Sequence, residues 1–302
     1  MASMRAIDER SAAAAARRGA PDEGSGADGG HAEDATNAGW VTDRPADDVG
    51  NDDDPAAPSL LDDVRASLLR LAERPVHGVA RPWTQPITIW VCRRTLAILR
   101  IAHEVQGTPM QGPGAVVANH VSWLDIFALN AAKRVYFVSK AEVAGWPGIG
   151  FLARLVGTVF ITRDPRAARA HTALLQERLA AGQRLLFFPE GTSTDGMRVR
   201  PFKSTLFEAL SAPGAGPEGA RAQPVTIFYE APDGADPRFY GWWGDMEFGS
   251  HLLAVLGAAR QGRVRVVCHA PVPLDAEDGR KALAAACEAA VRAGMPSDRR
   301  GT

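Results

Sequence analysis

From about residue 102 onward, short runs of β-branched and aliphatic residues alternate with stretches whose apolar positions recur every three to four residues. The runs at 114–118, 135–139, 158–162, 184–188, 224–229 and 264–269 are bounded by Gly, Pro or charge and read as strands. Two helical stretches stand out, one over 165–181 and one over 276–293 near the end of the chain. Strand and helix in alternation predict an α/β layered fold over 102–295, with a central mixed, mostly buried sheet flanked by helices. The Pro- and Gly-dense segment 211–221 reads as a loop inside that domain, because strands resume after it.

Upstream, Leu61, Val64, Leu68 and Leu71 fall at helical spacing behind Ser59, a good N-cap, and Pro75 ends the pattern. A second helix is predicted over 86–101. There Ile87, Trp90, Val91, Ile98 and Ile101 share one face, Arg93 and Arg100 form a narrow basic stripe, and Arg94 has to snorkel. A helix of this kind lies in the plane of a lipid interface, so 60–101 is expected to dock on a membrane surface through Trp90, Arg93 and Arg100. Residues 1–59 are rich in Ala, Gly, Asp and Pro with Trp40 as their one aromatic residue, and are expected to be a disordered tail. The last residues, 296–302, are expected to be disordered as well.

Charge sharpens this division. The chain carries a net charge of -1, yet residues 1–59 hold 13 acidic residues against 5 arginines, and the remainder holds 29 basic against 22 acidic. Arginine outnumbers lysine 30 to 4, a bias of coding composition from which no nucleic-acid partner is inferred. Cys92, Cys268 and Cys287 are odd in number and far apart, which argues for a reducing compartment and against a structural metal. No apolar run reaches the roughly 18 to 20 residues of a membrane span, and the alanines at 12–16 are too few for a signal-peptide core, so a protein facing the cytoplasm is expected.

Candidate chemistry sits where strands end. Asn119-His120-Val121-Ser122-Trp123-Leu124-Asp125 follows the apolar run 114–118, and Ser122 reads as the start of a helix. His120 and Asp125 are five residues apart and can pair only across a turn; if they do, the carboxylate holds one imidazole tautomer and supports a general base. The plainer reading is a histidine at a helix start and an aspartate favoured by the helix dipole. Phe187-Phe188-Pro189-Glu190-Gly191-Thr192-Ser193 ends another strand and supplies a carboxylate, hydroxyls and a close-approach glycine, though it also reads as a polar turn. Arg163 ends a third strand, and Lys203 adds a further cation.

Four blocks in order, Asn119-His120 to Asp125, Gly157 to Arg163, Phe188-Pro189-Glu190-Gly191-Thr192 and Gln223 to Ile227, resemble the lysophospholipid acyltransferase family of the 1-acylglycerol-3-phosphate O-acyltransferase type. The resemblance covers about residues 85–275. It implies transfer of an acyl group from acyl-CoA or acyl-carrier protein to a lysolipid hydroxyl, with no cofactor, metal or covalent acyl-enzyme. Position by position it implies His120 as base, Asp125 as its orienter, and Glu190, Gly191 and Thr192 as acceptor-binding residues. Arg163 and Lys203 would meet a phosphate, and backbone amides near Ser122 or Gly191 would stabilise the oxyanion. The third block departs from the family by carrying Ser193 where arginine is usual. Lysophosphatidate is the expected acceptor, giving phosphatidic acid, and lyso-ornithine lipid is the alternative. A lipid-binding protein without catalysis, using the aromatic residues between Phe239 and Phe248, and a serine esterase are the remaining readings.

Overall fold

A computed structural model describes residues 84–162, 164–211, 220–274 and 279–300. The expected acidic tail, the helix of 60–75, Arg163 and most of the loop 211–221 lie outside the described residues.

Eight strands form one mixed sheet: β1 (Ala102–Gln106), β2 (Gly114–Ala118), β3 (Tyr136–Lys140), β4 (Val159–Ile161), β5 (Arg184–Phe187), β6 (Arg221–Glu230), β7 (Arg263–Cys268) and β8 (Val272–Pro273). They lie in the order β1, β7, β6, β2, β5, β3, β4, with β8 beside β6. The pairs β6–β7 and β6–β8 are antiparallel and the other pairs are parallel. At the centre, β2 is buried along its whole length, which its uninterrupted Gly-Ala-Val-Val-Ala run allows. Two strands escaped the sequence reading. In β1 the segment Ala-His-Glu-Val-Gln offers one β-branched residue, and β8 is two residues long.

Side chains alternate across the sheet and serve two cores. Val116, Leu186, Val225, Ile227 and Val266 face one layer, made of α1 (Thr84–Ile98), α2 (Asp125–Ala132), α3 (Ile149–Leu155) and α6 (Phe248–Gly257). Ala115, Val117, Leu185 and Phe187 face the other, made of α4 (Ala168–Ala180), α5 (Glu208–Ser211) and α7 (Gly279–Gly294). The cysteines are free, and burial pushes the Cys268 and Cys287 thiols up to about 11 and about 12.

The docking helix differs from its prediction. It ends at Ile98, and Arg100 turns left-handed (φ 57°) to lead into β1, so Arg93 and Arg100 share no helical stripe. Its buried stripe is Thr88, Cys92 and Leu96, packed on α2, and Arg93 Nε donates to the Ala131 carbonyl at 3.0 Å. Ile101, expected on the lipid face, is 3% exposed. Trp90 is half-buried. The carboxyl end is corrected too: Ser297–Arg299 forms a 3-10 turn, and Arg299, 9% exposed, donates to the Tyr229 carbonyl at 2.6 Å.

Candidate active site

Strand register brings the first and third blocks together. Val117 of β2 pairs with Phe187 of the parallel β5, and His120 and Glu190 each lie three residues beyond that pair, at the carboxyl edge of the sheet. The His120 amide donates to Glu190 Oε2 at 2.6 Å, and the Arg200 amide donates to Oε1 at 2.6 Å. Glu190 was expected to hold the acceptor. It is 2% exposed with both oxygens engaged by backbone, and it fixes the main chain at His120.

Asn119 explains the other half of its dipeptide. It sits at the end of β2 while the neighbouring β6 runs on, and its side chain stands in for the missing strand. Nδ2 donates to the Ile227 carbonyl and Oδ1 accepts from the Ile227 amide, both at 2.8 Å. Burial of that peptide in the core makes the pairing obligatory.

Residues 121–124 form the turn that the five-residue spacing required. Asp125 is fully buried, and its Oδ2 lies 2.7 Å from His120 Nδ1 while accepting from the Val121 and Ser122 amides at 2.9 and 3.1 Å. Oδ1 accepts from the Tyr229 hydroxyl at 2.8 Å. Four donors thus converge on this one carboxylate. An ionised carboxylate only accepts, so the imidazole carries its proton on Nδ1 and presents a lone pair at Nε2. The ring stacks on Phe188 (centroids 4.0 Å apart, planes at 10°), and Thr194 donates to the His120 carbonyl from both its amide and its hydroxyl.

Helix α2 therefore starts at Asp125, three residues after Ser122, because the Asp125 side chain captures the amides of Val121 and Ser122. The Ser122 hydroxyl is fully buried with no hydrogen-bond partner among the described residues. Both amides expected to stabilise an oxyanion are also engaged, Ser122 with Asp125 and Gly191 with the Phe188 carbonyl. The amides of Thr192 and Ser193 carry no hydrogen bond to any described residue, and the Thr192 side chain is exposed.

Around Gly191 (φ 76°) two ammonium groups converge. Lys140 Nζ donates to its carbonyl at 3.2 Å, and a Cβ on Gly191 would lie 2.8 Å from Lys203 Nζ. The sequence reading singled out Lys203 and missed Lys140 and Tyr229. Lys140 closes β3, so a strand-end rule would have reached it. Tyr229 shares a face with Val225 and Ile227 by simple alternation along β6.

Burial pushes the Glu190 carboxyl up to about 7, against the opposing pull of the Arg200 and His120 amides. The folded chain thus holds this proton more tightly than the unfolded chain, so the Glu190 contribution lowers stability as pH rises from 4.5 to about 7. Glu190→Gln removes that dependence and sets an amide NH2 against one backbone N–H, an unmade buried bond of about 1–3 kcal/mol. The melting temperature of the variant is expected to fall less than that of wild type between pH 5 and pH 7.5. Identical pH slopes would show that Glu190 does not titrate in this range.

A partly exposed histidine on a buried carboxylate at the carboxyl edge of a mixed sheet, beside a glycine flanked by cations, is an arrangement able to activate a hydroxyl. The Acyltransferase family profile matches residues 100–228. The lyso-ornithine lipid O-acyltransferase of Rhodobacter capsulatus is 60% identical over 227 residues, spanning 75% of this chain and 82% of the relative. Its counterpart from Pseudomonas aeruginosa is 38% identical over 228 residues, 75% of this chain and 85% of that one. The 1-acyl-sn-glycerol-3-phosphate acyltransferase of Neisseria meningitidis is 40% identical over 126 residues, 41% and 49% of the two chains. The crystal structure of the 1-acyl-sn-glycerophosphate acyltransferase of Thermotoga maritima shares the fold, with a TM-score of 0.53 at 23% identity over 76% of this chain and 84% of that one. The chain belongs to the lysophospholipid acyltransferase family and is an acyltransferase.

Proposed function

We propose that this protein transfers a fatty acyl group from an acyl thioester, acyl-CoA or acyl-carrier protein, to the free hydroxyl of lyso-ornithine lipid. The observation that carries the reaction is the 2.7 Å contact between His120 Nδ1 and Asp125, which leaves Nε2 as the base. Nε2 takes the proton of the acceptor hydroxyl as its oxygen attacks the thioester carbonyl. The C–S bond then breaks, and the imidazolium returns the proton to the departing thiolate. Asp125 keeps the ring in one orientation and offsets the charge that the imidazolium gains. Tyr229 and Glu190 act through these two residues. The amides of Thr192 and Ser193 are the donors available to the tetrahedral oxyanion. A serine-esterase route through Ser122 is disfavoured by its complete burial.

For the acceptor, Ser193 and the two lyso-ornithine lipid O-acyltransferases named above support lyso-ornithine lipid over the lysophosphatidate that the family's commonest reaction suggested. Serine offers one hydroxyl and no charge where arginine would grip a phosphate. The lysine pair at Gly191 is the observation that favours lysophosphatidate as a second reading. Mass spectrometry of products from purified protein, acyl-CoA and each acceptor in turn tests both. Acylated ornithine lipid is the expected product, and phosphatidate formed alone would overturn the choice of acceptor.

The same layer that carries the His120 turn is the candidate lipid-facing side. Among the described residues Ile98, Phe151, Leu253 and Leu256 on its helices and Trp146 in the turn before α3 are 71%, 61%, 70%, 54% and 47% exposed. Trp146 packs edge-on against Trp242 at 6.2 Å, and α6 has no charged side chain from Phe248 to Gly257. No helix among the described residues is long and apolar enough to cross a membrane. Docking is therefore proposed at the cytoplasmic face, where the two thioester donors are found, and mostly through apolar insertion rather than through Arg93 and Arg100. Leu253→Ser with Leu256→Ser is expected to halve, at least, the fraction that sediments with vesicles, and 0.5 M salt to change it little. Loss of binding in salt with both leucines intact would return the role to the arginines.

A further inference from the structure

The loop after Ser193 turns back across His120 and carries a charge cluster that the reaction above does not use. Asp195, 6% exposed, accepts from Arg198 twice, Nε to Oδ1 at 3.3 Å and Nη2 to Oδ2 at 2.6 Å. Arg238, from the segment after β6, approaches Oδ2 with its Nε at 3.8 Å. Burial pushes the Asp195 carboxyl up, but the hydrogen bonds from Arg198 and Met197 and the two guanidinium charges outweigh it and hold the group below its ordinary range. Both arginine side chains are more than half exposed, at 56% and 54%. Nη1 of Arg198 and both terminal nitrogens of Arg238 have no partner among the described residues.

Backbone contacts tie this cluster to the catalytic turn. The Thr194 amide donates to the His120 carbonyl at 2.9 Å, and the Trp242 amide donates to the Val121 carbonyl at 2.9 Å. A Cβ on Gly196 would lie 2.9 Å from Val121 Cγ1, and one on Gly241 would lie 3.0 Å from the Asp195 carbonyl oxygen. The two segments that carry these arginines thus both bond to the backbone of the catalytic turn, with the buried Asp195 carboxylate between the two guanidiniums.

We propose that Arg198 and Arg238, held by Asp195, form the subsite for the carboxylate of the acceptor head group. The inference rests on lyso-ornithine lipid being the acceptor. Two guanidiniums around one carboxylate leave a net charge of +1, which a singly charged ligand neutralises. A phosphate monoester near its second ionisation carries up to two charges, more than the cluster neutralises, so a carboxylate is the better charge match. Guanidinium forks also match the planar, two-oxygen geometry of a carboxylate. This places head-group recognition on the loop that follows Ser193, where the arginine usual in the family is missing.

The test uses the full-length protein, acyl-CoA, lyso-ornithine lipid and the same lipid with its carboxylate blocked as a methyl ester. Wild type is expected to favour the free acid over the ester by at least about tenfold in kcat/KM. Arg198→Ala and Arg238→Ala are each expected to raise KM for the free acid about tenfold or more, with kcat nearly unchanged and the ester affected less than about twofold. Arg238 touches Asp195 only at 3.8 Å, so its variant stays informative even if the loss of Arg198 disturbs the loop. Equal losses on acid and ester, or a rise in KM for acyl-CoA instead of the acceptor, would overturn the subsite while leaving the acceptor reading intact. No turnover of lyso-ornithine lipid by wild type would overturn both.

Discussion

His120→Ala is expected to lower kcat for acyl transfer by about 10² to 10⁴, the range in which a positioned general base contributes. The fold should survive. His120 is partly exposed, and its side chain supplies one of four donors to Asp125, whose contacts to Val121, Ser122 and Tyr229 persist in the variant. The stability cost is that of one hydrogen bond to a charged group, about 1.5–3 kcal/mol. Rates from purified protein, with melting curves alongside, check both halves. A loss below tenfold would remove His120 from the chemistry.

Asp125 should behave differently, because its carboxylate serves the turn as much as the base. In Asp125→Ala the Val121 and Ser122 amides and the Tyr229 hydroxyl all lose their acceptor in a place water does not reach. At about 1–3 kcal/mol for each unsatisfied donor, the sum rivals the roughly 5–15 kcal/mol that holds a domain together. Asp125→Ala is therefore expected to be poorly folded as well as inactive. Asp125→Asn keeps an acceptor on the side of the backbone amides but loses the charge that opposes the imidazolium. It should fold and still lose about 10² or more in rate. If Asp125→Ala melted within a few degrees of wild type, the four-donor description of this site would be wrong. Tyr229→Phe, which deletes one donor, marks the lower end of the series at about 1–3 kcal/mol.

The roles expected of the two acidic residues, Asp125 and Glu190, thus divided unequally between sequence and structure. A five-residue spacing at a strand end was enough to predict that His120 and Asp125 could pair, because only a turn is short enough to allow it. That Glu190 anchors the His120 backbone is not legible in the sequence. Its burial and both of its partners depend on the parallel pairing of β2 with β5 and on where Arg200 returns, contacts between positions 70 and 10 residues apart. Helix α1 was misjudged for a similar reason. Its apolar pattern runs on to Ile101, but the helix stops at Ile98 and the left-handed turn at Arg100 sends Ile101 into the core, while Ile98 stays exposed.

Local pattern therefore determined the alternation of strand and helix, the buried central strand and the placing of both polar blocks at strand ends. Each of these follows from side-chain periodicity and turn chemistry within a few residues. Tertiary structure alone decided that Glu190 anchors the backbone of His120. It also brought Lys140 to Gly191, and Arg198 and Arg238 to one aspartate. Those outcomes depend on strand order and register, which sum weak preferences over the whole sheet, and no short stretch of sequence contains them.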